Sequence, residues 1–363
     1  MSTQDEYIKD ARFHRVFELP ANPASGREEN FKVQYADFGY RNEADPNQEN
    51  VLLFFGPLMA SRLLHVAKDG FAKQHKIRII NPDRPGIGGT DPVDMKERLG
   101  IWREAIPALL AHLGIQHVFV ACHSGGTVWA LDMTLHHPEL LHPSKAYIAI
   151  GAPWILPAHT GLTIMSLVNI FPATLVNQTD KFVRLVNNHI GPMIGTSMGF
   201  TANAIAKLVP SPSSQGEGQV PEGSEEVKLE ETLWPKIMNQ VYEDGVEGIS
   251  SEALLLMQKT GNTGGWSDWG DYDMLIPRLA DLFRAQGRKL KVDIFYAEKD
   301  TLIGDGGSKG PLWFDKCWQA DGLRDAITFQ SETVKGADHD GIWTFKQGTI
   351  QALFERIVAL SNI

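Results

Sequence analysis

Apolar residues in this chain fall into two alternating patterns. Short blocks rich in apolar residues occur at "RFHRVFEL", "FKVQYADF", "NVLLFFG", "KIRIINPD", "HVFVAC", "KAYIAIGAP", "LKVDIFYA" and "AITFQSETV". Between them, apolar positions recur at three- and four-residue spacing in "SRLLHVAKDGFAKQ", "ERLGIWREAIPALLAHLG", "TVWALDMTLHH", "PLWFDKCWQA" and "GTIQALFERIVALS". Blocks of the first kind predict strands buried on both faces, and stretches of the second predict amphipathic helices. Their alternation predicts an α/β protein with a mostly parallel, twisted sheet covered by helices on both faces.

The alternation breaks between Trp154 and about Asp273. That region holds apolar helical pieces, among them Met165, Leu167, Ile170 and Phe171 at helix-like spacing, facing inward as core or as the roof of a pocket. It also holds the low-complexity stretch "PSPSSQGEGQVPEGSEE", which has little to bury and reads as a surface loop. The expected organisation is a core from residues 1–154 and 271–363, with a helical cap inserted at 155–270 and a flexible loop near 210–230. There is no internal repeat.

Composition narrows the function classes. At 363 residues and 43% hydrophobic content the chain can bury a sizeable core. Its formal net charge of −10 is spread along the chain and leaves no basic stripe for phosphates, which argues against a nucleic-acid partner. Two cysteines, Cys122 and Cys317, exclude a disulfide framework and suit a reducing compartment. The polar start "MSTQDEYIKDARFHRV" lacks an apolar signal core, and the longest apolar stretch, "GLTIMSLVNIFPATLV", is interrupted by Thr163, Ser166, Asn169 and Pro172. A cytoplasmic protein without an integral membrane segment is expected.

The candidate chemistry lies in "HVFVACHSGGTVWAL", where a buried strand runs into Ser124, Gly125 and Gly126 and a helix begins at once. This resembles the nucleophile elbow, G-x-S-x-G, of the α/β-hydrolase family. Small residues two before and two after the serine admit a strained turn that lifts its hydroxyl clear of the sheet. Gly126 meets the second requirement, and Cys122 replaces the first glycine. The family's chain order is serine, acid, histidine. "VDIFYAEKDTLIG" places Asp300 just after a predicted strand, and "ETVKGADHDGIW" places His339 just after the next. Both stand at strand C-terminal ends, where open α/β sheets put their sites. The resemblance therefore implies a triad of Ser124, Asp300 and His339, with Asp305 the second-ranked acid. "NPDRPGIGGTDP" is similar to the family's R-P-G-x-G-x-S-D stretch, and "GGWSDWGDYDM" to its tryptophan-rich return to the core.

The resemblance also implies an oxyanion hole. Gly125 supplies one amide at a helix N-terminus. The second amide usually follows a His-Gly pair after the third strand, but here the sequence reads "LLFFGPLMAS". Phe55 replaces the histidine, and Pro57 has no N–H. Either Leu58 is the second donor or the site has one donor. Phe55, Trp154, Trp266, Trp269 and Trp343 are candidate walls of an apolar pocket. Several other residues have plainer readings. Cys122 is a small packed residue, His123 packs behind the elbow, and Asp91 caps a turn. Asp338 and Asp340 are solvated turn residues or surface pairs, and His136 and His137 alone are a poor metal-ligand set. No metal or cofactor is implied.

The implied activity is that of a lidded serine hydrolase acting on a mid-sized hydrophobic ester, lactone or thioester. A serine nucleophile argues against epoxide hydrolases and haloalkane dehalogenases of the same fold, which use a carboxylate. Two alternatives stay open: a carbon–carbon bond hydrolase of a β-dicarbonyl or related ketone, and a ligand receptor that kept the pocket without turnover.

Overall fold

A computed structural model of the chain describes residues 3–45, 49–58, 60–161, 224–245, 247–259 and 266–361. Each of the eight predicted strands forms: β1 (Arg15–Leu19), β2 (Phe31–Gly39), β3 (Asn50–Phe55), β4 (Ile77–Pro82), β5 (Phe119–Ser124), β6 (Ala146–Pro153), β7 (Leu290–Ala297) and β8 (Ile327–Val334). They make one sheet in the order β1-β2-β4-β3-β5-β6-β7-β8. β2 runs antiparallel to β1 and β4, and the strands from β4 through β8 are parallel.

Neighbouring residues of one strand feed opposite faces, as the two-residue period of a strand requires. Leu53, Phe55, Val120, Cys122, Ile148 and Ile150 enter one apolar cluster, and Leu52, Phe54, Phe119, Ala121, Tyr147 and Ala149 enter the other. Helices seal both. In chain order the helices are α1 (Thr3–Ile8), α2 (Asp69–Gln74), α3 (Arg98–His112), α4 (Gly126–His136), α5 (Pro157–Thr160), α6 (Glu225–Asp244), α7 (Ile249–Leu256), α8 (Tyr272–Ala285), α9 (Lys309–Trp318) and α10 (Thr349–Ser361). Residues of α3, α4, α8 and α9 cover the first face, and residues of α2, α6 and α10 the second.

Two expectations change. The helix expected over "SRLLHVAKDGFAKQ" is α-helical only in α2, because Arg62 is committed elsewhere: its backbone N–H and side chain bond Asp83, and its side chain also bonds the carbonyls of Phe13 and Gly88. Residues 225–230 of the loop expected near 210–230 are helical instead: the Ser224 hydroxyl accepts from the Val227 N–H and caps α6. Glu225 and Glu226 in the first turn suit the positive end of that helix. Residues 210–223, like Met165, Leu167, Ile170 and Phe171, lie outside the described residues. No helix among the described residues is long and apolar enough to cross a membrane.

Candidate active site

β5 ends on Ser124 with φ +49°, a left-handed conformation rare for a residue with a side chain. The ladder to β6 shifts register between His123 and Ser124, and the Trp154 N–H takes the Ser124 carbonyl at 3.1 Å. Gly126 is needed because a Cβ there would strike the Phe55 carbonyl and come within 2.7 Å of the Gly56 carbonyl. That close approach brings the loop after β3 against the start of α4, beside the serine.

Three residues from separate strand ends meet here. The loop after β8 carries His339, whose Nε2 lies 2.8 Å from the Ser124 hydroxyl oxygen. The loop after β7 carries Asp300, whose Oδ2 lies 2.7 Å from His339 Nδ1. Asp300 Oδ1 accepts the N–H groups of Leu302 and Ile303 at 2.8 and 2.9 Å, which fixes the carboxylate. With Nδ1–H donating to Asp300, Nε2 is the acceptor for the Ser124 O–H. All three side chains are buried. Burial alone would lower the His339 pKa, but the Asp300 carboxylate, with Asp340 and Asp338 behind it, holds the pKa above the ordinary histidine value. Asp305 is turned to its own loop, accepting from the Gly307 N–H and the Ser308 hydroxyl.

His123 braces this arrangement. Its ring is buried, and its Nε2 donates to the His339 carbonyl at 2.8 Å. Burial and the neighbouring His339 push its pKa down to about 3, so it stays neutral. Nitrogen and oxygen atoms of His123, His339 and Asp340 come within 4.8 Å of one another. Both ring nitrogens of His339 and one of His123 already have partners, which leaves a poor donor set for a metal. Cys122 is inert: burial raises its thiol pKa to about 12.

Among the described residues, neither the Gly125 nor the Leu58 N–H has a backbone acceptor. A Cβ on Gly125 would lie 2.7 Å from Leu256 Cδ1 of α7, so α7 reaches the elbow directly. Leu58 and Trp154 pack against an apolar cluster of Ile87, Ile249, Ala253, Leu254 and Met257. Trp154 is partly exposed and donates to the Leu256 carbonyl at 2.8 Å. The other aromatic candidates are buried. Phe55 joins the core beside Cys122. Trp266 and Trp269 donate to the Leu255 carbonyl and to Asp132, each at 2.8 Å. Trp343 lies beneath the elbow, its Nε1 donating to the Cys122 carbonyl at 3.2 Å. Asp91 accepts the Lys32 N–H at 2.7 Å, tying its turn to β2.

Sequence reasoning missed Arg84 and Glu252. Arg84 donates to the Gly56 and Pro57 carbonyls, and its Nε lies 2.5 Å from Glu252 of α7. A lone carboxylate inside the apolar helix "ISSEALLL" was the available signal, since a buried charge requires a partner.

This architecture is the α/β-hydrolase fold. The chain resembles, over nearly its whole length, solved structures of hydrolases. One is an esterase from Thermogutta terrifontis, 15% identical, covering 96% of this chain and 99% of that one, with a TM-score of 0.52. A second is an enol-lactonase from Burkholderia xenovorans, 10% identical, covering 96% and 100%, with a TM-score of 0.54. A third is an epoxide hydrolase from Vigna radiata, 15% identical, covering 96% and 98%, with a TM-score of 0.51. No family model matches the chain, and no curated protein matches it significantly.

Proposed function

We propose that this chain is a serine hydrolase that cleaves a mid-sized hydrophobic ester, lactone or thioester through an acyl-enzyme. The observation that carries the reading is the hydrogen-bonded series Ser124–His339–Asp300 at a left-handed elbow. The Ser124 oxygen attacks the acyl carbon as its proton passes to His339 Nε2. Asp300 keeps the imidazole tautomer and stabilises the imidazolium. The carbonyl oxygen, now negative, takes the Gly125 and Leu58 amides. His339 returns the proton to the leaving group, and water, activated by His339, releases the acid. The apolar surroundings of Leu58, Trp154, Leu254 and Met257 support a hydrophobic acyl or leaving group. The names of the esterase and enol-lactonase neighbours fall within the proposed substrate class, and a serine at the elbow separates this chain from carboxylate-nucleophile chemistry.

The test is covalent labelling with a fluorophosphonate followed by intact-mass analysis. One adduct is expected on Ser124 and none in Ser124→Ala. Labelling at another serine, or none in the folded protein, overturns the proposal. Product analysis on active acyl substrates should give an acid and an alcohol or thiol. A ketone and an acid released from a β-diketone, which has no ester or enol-ester bond, would instead establish carbon–carbon cleavage.

A further inference from the structure

A buried ion cluster stands behind the loop that follows β3. Arg84, from the turn after β4, sends Nη1 to the Gly56 carbonyl and Nη2 to the Pro57 carbonyl. Its Nε faces Glu252 Oε1 at 2.5 Å, and the other carboxylate oxygen accepts from Arg98 Nη2 at 2.8 Å. Both guanidinium groups lie over the ring of Trp129, at 6.0 and 5.7 Å. Arg84, Arg98 and Glu252 are all buried. Two cations face one anion, so the cluster presents net positive charge to the loop.

The arrangement has a direct chemical consequence. The Pro57 carbonyl and the Leu58 N–H are the two ends of one peptide unit, and in a planar trans peptide they point in opposite directions. The Arg84 guanidinium, together with the Ala60 N–H at 3.1 Å, therefore holds the Pro57 oxygen and with it the plane in which the Leu58 N–H points. It also polarises that N–H, because hydrogen bonds in series strengthen one another. Pro57 supplies no donor of its own. We propose that Arg84 is a positioning residue that holds and polarises the Leu58 amide as the second oxyanion donor, and that Glu252 of α7 keeps Arg84 in place. This rests on the serine-hydrolase reading and deepens it: the inserted segment helps build the oxyanion hole through an ion pair.

The experiment begins with the parent protein, labelled by a fluorophosphonate and assayed on a p-nitrophenyl ester. In Arg84→Met, kcat should fall about 10²- to 10³-fold, the range for losing one oxyanion donor, with KM nearly unchanged. Affinity for a trifluoromethyl ketone, whose adduct carries an oxyanion, should fall by the same factor. Affinity for the corresponding alcohol, which forms no adduct, should not change. Arg84→Lys should recover part of the loss, and combining Arg84→Met with Leu58→Pro should cost little more than either change alone, because both act through one amide.

A measurement on the parent protein needs no variant. The sequence has two Pro-Leu pairs, at 57–58 and 311–312, so carbonyl-13C proline with 15N leucine isolates the Leu58 amide, with Leu312→Ala identifying the other signal. Its proton should move downfield when the trifluoromethyl ketone adduct forms. Additive losses in the double variant, a rise in KM at constant kcat, or an unmoved Leu58 proton in a formed adduct overturns the Arg84 proposal and leaves the hydrolase reading standing. A parent protein that neither labels nor turns over overturns both.

Discussion

In the proposed mechanism His339 is the residue on which the chemistry turns, and its environment sets a sign for the pH dependence. Burial favours the neutral ring, but Asp300 at 2.7 Å and the carboxylates of Asp340 and Asp338 favour imidazolium and prevail. A general base must be neutral to accept the Ser124 proton, so kcat/KM should rise with pH through a value above the ordinary 6.5. Asp340, itself raised to about 6 by burial, is ionised where that limb develops, and His123 is neutral throughout. Asp340→Asn removes a charge that favours imidazolium and should move the limb to lower pH. An unmoved or raised limb in a pH–rate profile excludes that coupling. Asp300→Asn should cost on the order of 10⁴-fold in kcat through the wrong imidazole tautomer, while Asp305→Asn should cost far less. The reverse ranking in steady-state assays would assign the acid to Asp305. That Ser124, Asp300 and His339 meet at one place was legible because each stands at or just after a strand end and the family resemblance implies their chain order. Arg84 and Glu252 were not, because 168 positions separate them, and only the folded chain brings a helix of the insertion onto the turn after β4.

At the scale of elements, that turn is where the segment between α6 and α7 meets the sheet. The Gly248 N–H donates to the Gly86 carbonyl at 2.8 Å, and the Gly88 N–H to the Gly245 carbonyl at 3.1 Å. Gly86 has φ +73°, and a Cβ on it would lie 2.7 Å from the Gly248 Cα. The glycines of "RPGIGG" thus do more than permit a turn, since they let two backbones touch. Gly248 is the N-cap of α7, and a Cβ on it would strike the Pro85 carbonyl. Gly248→Ala should therefore push α7 outward, carrying Leu256 off Gly125 and Glu252 off Arg84. The expected readout is slower labelling of Ser124 by small fluorophosphonates, with relaxed discrimination between short and long acyl esters. Unchanged labelling and unchanged chain-length preference would show that α7 does not set the geometry at the elbow. β3 to β7 were legible because buried parallel strands are written as largely apolar runs, whereas antiparallel β1 and β2 and the exposed edge strand β8 mix polar with apolar residues. The first part of "SRLLHVAKDGFAKQ" was misread because its periodicity is helical while Arg62 is drawn to Asp83, a tertiary demand that periodicity does not record.

For the whole molecule, α6 packs into the core, which predicts that it unfolds with the sheet. Val227, Leu233, Ile237 and Val241 of α6 are buried in the cluster that also holds Ile8, Phe13, Val66, Phe345 and the strand residues Leu52 and Phe54. Glu230 of the same helix takes Lys68 Nζ at 2.5 Å on one oxygen and the Phe345 N–H at 2.9 Å on the other. Arg62 Nη2 reaches Asp244, at the far end of α6, at 2.7 Å. A lid that merely rested on the core would unfold by itself and leave the sheet's transition untouched. A helix that seals one face of the sheet cannot, because its loss exposes the apolar cluster beneath it. Leu233 is fully buried there, and Leu233→Ala removes apolar contact and leaves a cavity, at a cost of about 2–5 kcal/mol. Urea unfolding followed by both tryptophan fluorescence and far-ultraviolet circular dichroism should show one transition in parent and variant, with the two signals coincident and the midpoint lowered. Two separated transitions, with the later one at the parent's midpoint, would make the insertion an independent lid. Coincidence would mean that α7 is presented to Ser124 by a helix pair whose other member belongs to the core, so that the placement of Leu256 and Glu252 is secured by global stability and not by closure over substrate.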